Sequence, residues 1–329
     1  MKHSAKLRPG DFVEVKTACE ILQTLDTDGT LNGLPFMPEM IGFTGKRFQV
    51  SKRVIKTCIS VSRSTTMRVF KKDDVLTLDG LRCSGTDHDG CQKACMIFWR
   101  EAWLRKVEDA PSQSDPDSKD ADRMRVRLKT STRPQNYFCQ ASELLKVTKP
   151  LSRWGRFGKC FTEIRVGNCT MWQMAQRLGI WSFWKLRSVF FGVYARGNNI
   201  TTPEESLNLQ AGELVEVKSI QRIAETLNAA AHNRGLYFTP DMRLLCGNQR
   251  RVEKRLDRII VDCTGEMRQL RNTVYLEGSH CGCSHVAFGG CPRGEFSYWR
   301  EIWLRRSETC KAHHGEVDPP SQGSLCSQD

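Results

Sequence analysis

Short runs of alternating apolar and polar residues recur along this chain, bounded by glycine, aspartate or asparagine. "GDFVEV" (10–15) and "GELVEV" (212–217) alternate strictly and predict strands with one buried face. "GKRFQVSKR" (45–53), "VLTLDG" (75–80), "QRRVEKR" (249–255) and "TVYLEG" (273–278) read the same way. A short helix follows the first strand: Thr17 can cap it, and Ala18, Ile21, Leu22 and Leu25 keep helical spacing. "MIFWREAWLRKV" (96–107) fits both periods. Phe98, Trp99, Ala102 and Trp103 share a helical face, whereas Trp99, Glu101 and Trp103 share a strand face. We read it as a closing strand. Further on, Thr170 is placed to cap a helix over Met171–Leu178, and Ser182 a second over Phe183–Tyr194.

The pattern occurs twice. "PGDFVEVKTACEILQTL" (9–25) is echoed by "AGELVEVKSIQRIAETL" (211–227), and "GLPFMPEM" (33–40) by "GLYFTPDM" (235–242), both at an offset of 202 residues. "LDGLRC" (78–83) returns as "LEGSHC" (276–281), and "FWREAWLRKV" as "YWREIWLRRS". The expected fold is mainly β with α: two small SH3-like barrel modules with Cys-rich knuckles, joined by a helical insert. Their expected bounds are 1–107 and 207–307. The segment 108–135, rich in Ser, Asp and Pro, reads as a disordered acidic linker, and the tail 308–329 as disordered. Residues 136–206 form a basic, Trp-rich helical segment. From Leu144 to Ile200 it holds ten Lys or Arg and a single acid, Glu163.

A formal net charge of +13 favours acidic partners: nucleic acid, an anionic membrane face or an acidic protein. The first residues lack the apolar core of a signal peptide, and no apolar run reaches the ~18 residues a membrane span needs. These features predict a cytoplasmic protein, peripheral to a membrane at most. In a reducing compartment, 15 cysteines are poor material for a disulfide framework, which leaves metal ligation or buried thiols.

In the first copy Cys91 and Cys95 have knuckle spacing, and Cys83 precedes a turn, "SGTDHDG", that folds the chain back. Cys58 offers a fourth thiol from an earlier strand. The second copy keeps Cys263, Cys281 and Cys291, adds Cys283 beside His280 and His285, and replaces Cys95 with Glu295. Zinc is the expected metal. An iron–sulfur cluster is the alternative, since four thiolates alone do not separate the two. His88 is expected to be a solvated turn residue. Cys19, Cys139, Cys160, Cys169, Cys246, Cys310 and Cys326 lack any paired spacing and read as core or incidental. No Cys–His–Asn constellation points to nucleophilic catalysis.

The recurrent W-R-E-x-W-L-R stretch reads as packing rather than a recognition face, because aromatics dominate small cores. "GLPFMPEM" reads as a structural loop. The candidate partner contact is the set Trp172, Arg177, Trp181, Trp184, Lys185 and Arg187, whose mixture of cations and tryptophans suits an interfacial helix or a nucleic-acid face. A plain connector helix is the competing reading.

With "GDFVEVK … GLPFMPEM … GKRFQV … KTC … LDGLRC … GCQKAC … FWREAWL" in view, the chain resembles a bacterial family of duplicated Cys-containing modules with no assigned activity. The resemblance covers the first copy almost fully, the "CQASELLKVTKPL" segment, and the second copy more loosely. It implies one shared architecture, a bacterial cytosol and an accessory place in biosynthetic gene neighbourhoods. It implies no reaction and no catalytic residue. The expected function is a non-catalytic accessory or binding protein with zinc-stapled modules that engages an acidic partner. The alternatives are a metal- or iron–sulfur-dependent enzyme of a bacterial biosynthetic pathway and a nucleic-acid-binding protein.

Overall fold

Alternation in "FVEV" places Val13 and Val15 in full burial while Glu14 faces outward to Arg47 and Arg105. In a computed structural model of the protein, residues 6–61, 64–108, 118–133, 136–191, 195–281 and 292–307 are described. The architecture is mainly β with helices and includes a curled half-barrel sheet. The first half comprises β1 (Phe12–Val15), α1 (Ala18–Leu22), β2 (Arg47–Arg53), β3 (Thr57–Val61), β4 (Ser64–Phe70), β5 (Val75–Arg82), β6 (Met96–Arg100) and β7 (Leu104–Val107). Five of these strands form an antiparallel sheet in the order β6-β5-β2-β1-β7. Thr17 and Glu20 cap α1 reciprocally, as the sequence predicts.

The middle of the chain holds α2 (Ser118–Arg127), α3 (Gln140–Val147), β8 (Thr148–Pro150), α4 (Arg153–Arg165) and α5 (Met171–Phe191). β8 extends the β3–β4 hairpin into a three-stranded sheet. The second half repeats the order of elements with β9 (Leu214–Val217), α6 (Ile220–Ala224), β10 (Gln249–Arg255), β11 (Arg258–Ile260), β12 (Met267–Gln269), β13 (Thr273–Leu276), β14 (Trp299–Arg300) and β15 (Leu304–Arg306). Its five-stranded sheet runs β14-β13-β10-β9-β15, position for position the order of the first. β11 and β12 form a hairpin where the first half has β3 and β4.

Each core is centred on one phenylalanine between two fully buried tryptophans. Phe36 meets Trp99 and Trp103 edge-on at 6.1 and 5.2 Å, and Phe238 meets Trp299 and Trp303 at 6.3 and 5.4 Å. Trp103 donates to the Thr24 hydroxyl and Trp303 to that of Thr226. The aromatic W-R-E-x-W-L-R residues are therefore interior, and the "GLPFMPEM" loop supplies Phe36, Met37 and Met40 to the core. The closing segment is β6, a single 3-10 turn over Glu101–Trp103, and β7.

Two expectations need correction. Of the expected disordered linker 108–135, residues 118–133 are folded: α2 is a helix, and Met124 and Leu128 enter the first core, while 109–117 and 134–135 lie outside the described residues. The apolar spacing Ala121, Met124, Leu128 is one helical face, hidden in a composition rich in charge. The two helices expected over 171–194 are one continuous helix, α5, capped by Thr170, with Ser182 in its interior. Gly179, the one break-prone residue in the run, is tolerated mid-helix. The expected disordered tail, 308–329, lies outside the described residues.

Candidate functional site

The "SGTDHDG" turn folds back because its glycines accept backbone conformations that side chains resist. Gly85 has φ +72°, and a Cβ there would stand 2.0 Å from the Cys91 carbonyl oxygen. His88 and Gly90 donate N–H to the Gly85 carbonyl, and Cys91 donates to that of His88. The Cys83 N–H meets the Cys95 carbonyl at 2.8 Å, and Arg82 Nη1 holds the Ala94 carbonyl at 2.9 Å. This knuckle brings Cys83, Cys91 and Cys95 to the wall of one cavity of about 30 Å³. The fourth thiol there is Cys139, just ahead of α3, and Met37, His88, Gln140 and Ile260 complete much of the lining.

Cys58 is not a member of the set. It lies buried on β3 beside Met67 and Leu151, and its carbonyl accepts from Arg293. Of the expected quartet Cys58, Cys83, Cys91 and Cys95, the last three share the cavity wall with Cys139, and Cys58 does not reach it. Cys139 has no equivalent in the repeat and no neighbour at ligand spacing, so neither argument could single it out. Gln140 fixes its segment, taking the Phe98 N–H and donating to the Pro35 and Phe98 carbonyls.

Burial dominates the thiol chemistry. It pushes Cys83 far above its ordinary value, with the charges of Glu39 and Cys95 adding to the effect. It pushes Cys95 up to about 12 against Lys93 and Arg293, and Cys139 up to about 11 against the Ser142 and Ala141 backbone. Such thiols are protonated and poor nucleophiles at neutral pH. A soft cation that displaces the protons fits them better. Among the described residues, no three His, Cys, Asp or Glu side chains already stand as a metal-holding cluster, so ligation requires the thiols to close inward.

His88 is the reverse of a solvated turn residue. Its ring is buried, 2.5 Å from Glu39 Oε1 through Nδ1 and 3.0 Å from the Phe138 carbonyl through Nε2. That carbonyl is one residue from Cys139, so His88 ties the knuckle turn to the segment bearing the fourth thiol.

The second half arranges its residues differently. Cys281 donates N–H to the Glu295 carbonyl at 2.6 Å, as Cys83 does to the Cys95 carbonyl at 2.8 Å. Cys263 is half-buried and donates N–H to the Ala141 carbonyl. Cys283, Cys291 and His285 lie outside the described residues. Glu295 belongs to a buried charge network at the junction of the two halves. Asp262 takes Lys93 Nζ at 2.5 Å and both Arg293 nitrogens at 2.7 and 3.0 Å, and Glu295 Oε1 stands 2.5 Å from Arg293 Nη2. Beside it, Gln92 accepts from the Asp257 N–H and the Ile260 N–H points at Cys91 Sγ.

The candidate partner residues divide by face. Trp172 is exposed and Lys185 solvent-facing, while Trp181 packs on Met174, Cys160 and Cys169. Arg177 is half-buried beside Cys169, and Trp184 lies under the Arg243 guanidinium at 3.9 Å and near Arg187 at 5.6 Å. No helix among the described residues is long and apolar enough to cross a membrane. Comparison of the chain with family models, with curated proteins and with solved structures finds no match.

Proposed function

We propose that this is a non-catalytic binding protein in which Cys83, Cys91, Cys95 and Cys139 hold a structural zinc. The rest of the reading is two diverged SH3-like copies and a basic helical hairpin that engages an acidic partner. The observation that carries it is the convergence of four thiols from two distant segments on one small cavity. A ligand set that ties the knuckle to the start of α3 would cross-link two segments far apart in the chain. Zinc is preferred to an iron–sulfur cluster because the four thiols lack the tight cysteine run usual for a cluster. The high thiol pKa values oppose a nucleophilic role.

Metal analysis of protein purified anaerobically without added metal tests the assignment. About one zinc per chain is expected. Cys139→Ser should lose it, and Cys58→Ser should retain it in the folded fraction. A brown, iron-containing protein would replace zinc with a cluster. Metal-free folded protein, or loss with Cys58→Ser but not Cys139→Ser, refutes the site.

A further inference from the structure

Helix α5 turns its apolar residues the wrong way for a connector. Met174, Leu178 and Trp181 face α4, packing with Cys160, Ile164 and Cys169. The opposite side carries Trp172, Ile180, Phe183, Leu186 and Phe190, one stripe at helical spacing, all exposed and Phe190 by 75%. Trp154 and Phe161 on α4 are exposed as well. The helix is about 31 Å long at 1.5 Å per residue, so the stripe is far more than a scattered surface aromatic.

Charge decides what covers it. Between Glu163 and Glu204 the sequence has no acid, but it has Arg165, Arg177, Lys185, Arg187 and Arg196. Glu163 itself is engaged with Lys56 Nζ at 2.5 Å and Asn168. A second copy of the chain would bring two cationic, acid-free helices together, which like-charge repulsion opposes. Nucleic acid would satisfy the cations and leave Ile180, Leu186 and Val189 against water or phosphate. An anionic lipid surface takes both: aromatic and aliphatic side chains enter the acyl boundary while Lys and Arg meet the headgroups.

We propose that α5 lies flat on an anionic bilayer, with the Trp172–Phe190 stripe in the headgroup–acyl boundary. The inference names the acidic partner of the reading above and rests on it only for that role. Arg243, stacked on Trp184, ties the helix to the second copy and so sets how the protein would sit on the membrane.

The test is flotation of the full chain with phosphatidylcholine vesicles, with and without about 30 mol% phosphatidylglycerol. Binding is expected only to the anionic vesicles, with a blue-shifted tryptophan emission. Phe183→Glu combined with Phe190→Glu, both exposed, should weaken it at least about tenfold. No flotation, flotation indifferent to the double variant, or a dimer abolished by it overturns the proposal. So does nucleic-acid binding that depends on the same two residues. Zinc content measured on the same samples separates the two claims. Zinc without flotation removes only the lipid surface, and flotation without zinc removes only the metal.

Discussion

Glu101 and Glu301, inside the recurrent W-R-E-x-W motif, show what one buried carboxylate can organise. Glu301 is fully buried and accepts N–H from Leu207, Asn208 and Leu209 at 2.6, 2.9 and 3.1 Å, plus Arg255 Nη1 at 2.9 Å. Glu101 does the same for Leu7 and Arg53, at 3.0 and 2.6 Å. Each clamps the segment entering its first strand onto the far end of the sheet. Glu301→Gln replaces an acceptor with a donor opposite those N–H groups. It should cost about 3 kcal/mol in urea unfolding. Glu216→Gln, at a solvent-exposed pair with Arg305, should cost under about 1 kcal/mol. Equal effects would show that Glu301 is not a clamp. None of this is readable from the motif, where Arg and Glu alternate as they would on a solvated strand.

At the scale of elements, the strands were legible because one face of each is buried, and alternation survives in "FVEV" and "LVEV". The knuckle was legible in part. Spacing and repetition identify Cys83 and Cys91, but a thiol arriving from α3 is a tertiary fact, and Cys58 was the nearer guess in sequence. α5 was legible as helical and not as continuous, since a serine flanked by aromatics mimics a cap. The knuckle's geometry makes a prediction of its own. Gly85→Ala forces a Cβ onto the Cys91 carbonyl, whereas Gly80→Ala, at a similar φ of +73°, meets nothing within 4 Å. On the proposed zinc site, Gly80→Ala should cost about 1 kcal/mol of backbone strain and leave zinc affinity intact. Gly85→Ala should weaken zinc at least about tenfold in a competition titration while far-UV dichroism is preserved. Equal zinc affinity in the two variants would mean that the turn does not set the thiols.

For the whole molecule, the junction between the two halves holds a buried carboxylate whose charge state matters to folding. Burial pushes the Asp262 carboxyl up, but Arg293 and Lys93, by charge and hydrogen bond, outweigh it and hold it well below the usual carboxylate range. Glu295 is the other acid facing these two cations. A depressed folded pKa gives stability that is complete above the ordinary value of 3.8 and is lost as pH falls through the folded value. Asp262→Asn should therefore cost about 3 kcal/mol at neutral pH, since it leaves Glu295 alone to balance two buried cations. The gap to wild type should stay constant down to about pH 4 and narrow below it, as urea unfolding across pH would record. A gap that instead narrows between pH 6 and 8 would assign the dependence to another group.

The exchange of Cys95 for Glu295 bears on assembly. Two identical copies could pair with the corresponding copies of a neighbouring chain as readily as with each other, and such exchange leads to swapped dimers and open polymers. Here the equivalent positions carry unlike chemistry. One offers a thiol to the cavity beside Lys93, and the other offers a carboxylate to Lys93 and Arg293. Lys93 of the first half therefore meets its carboxylates, Asp262 and Glu295, on the second, and the contact joins unlike halves rather than like ones.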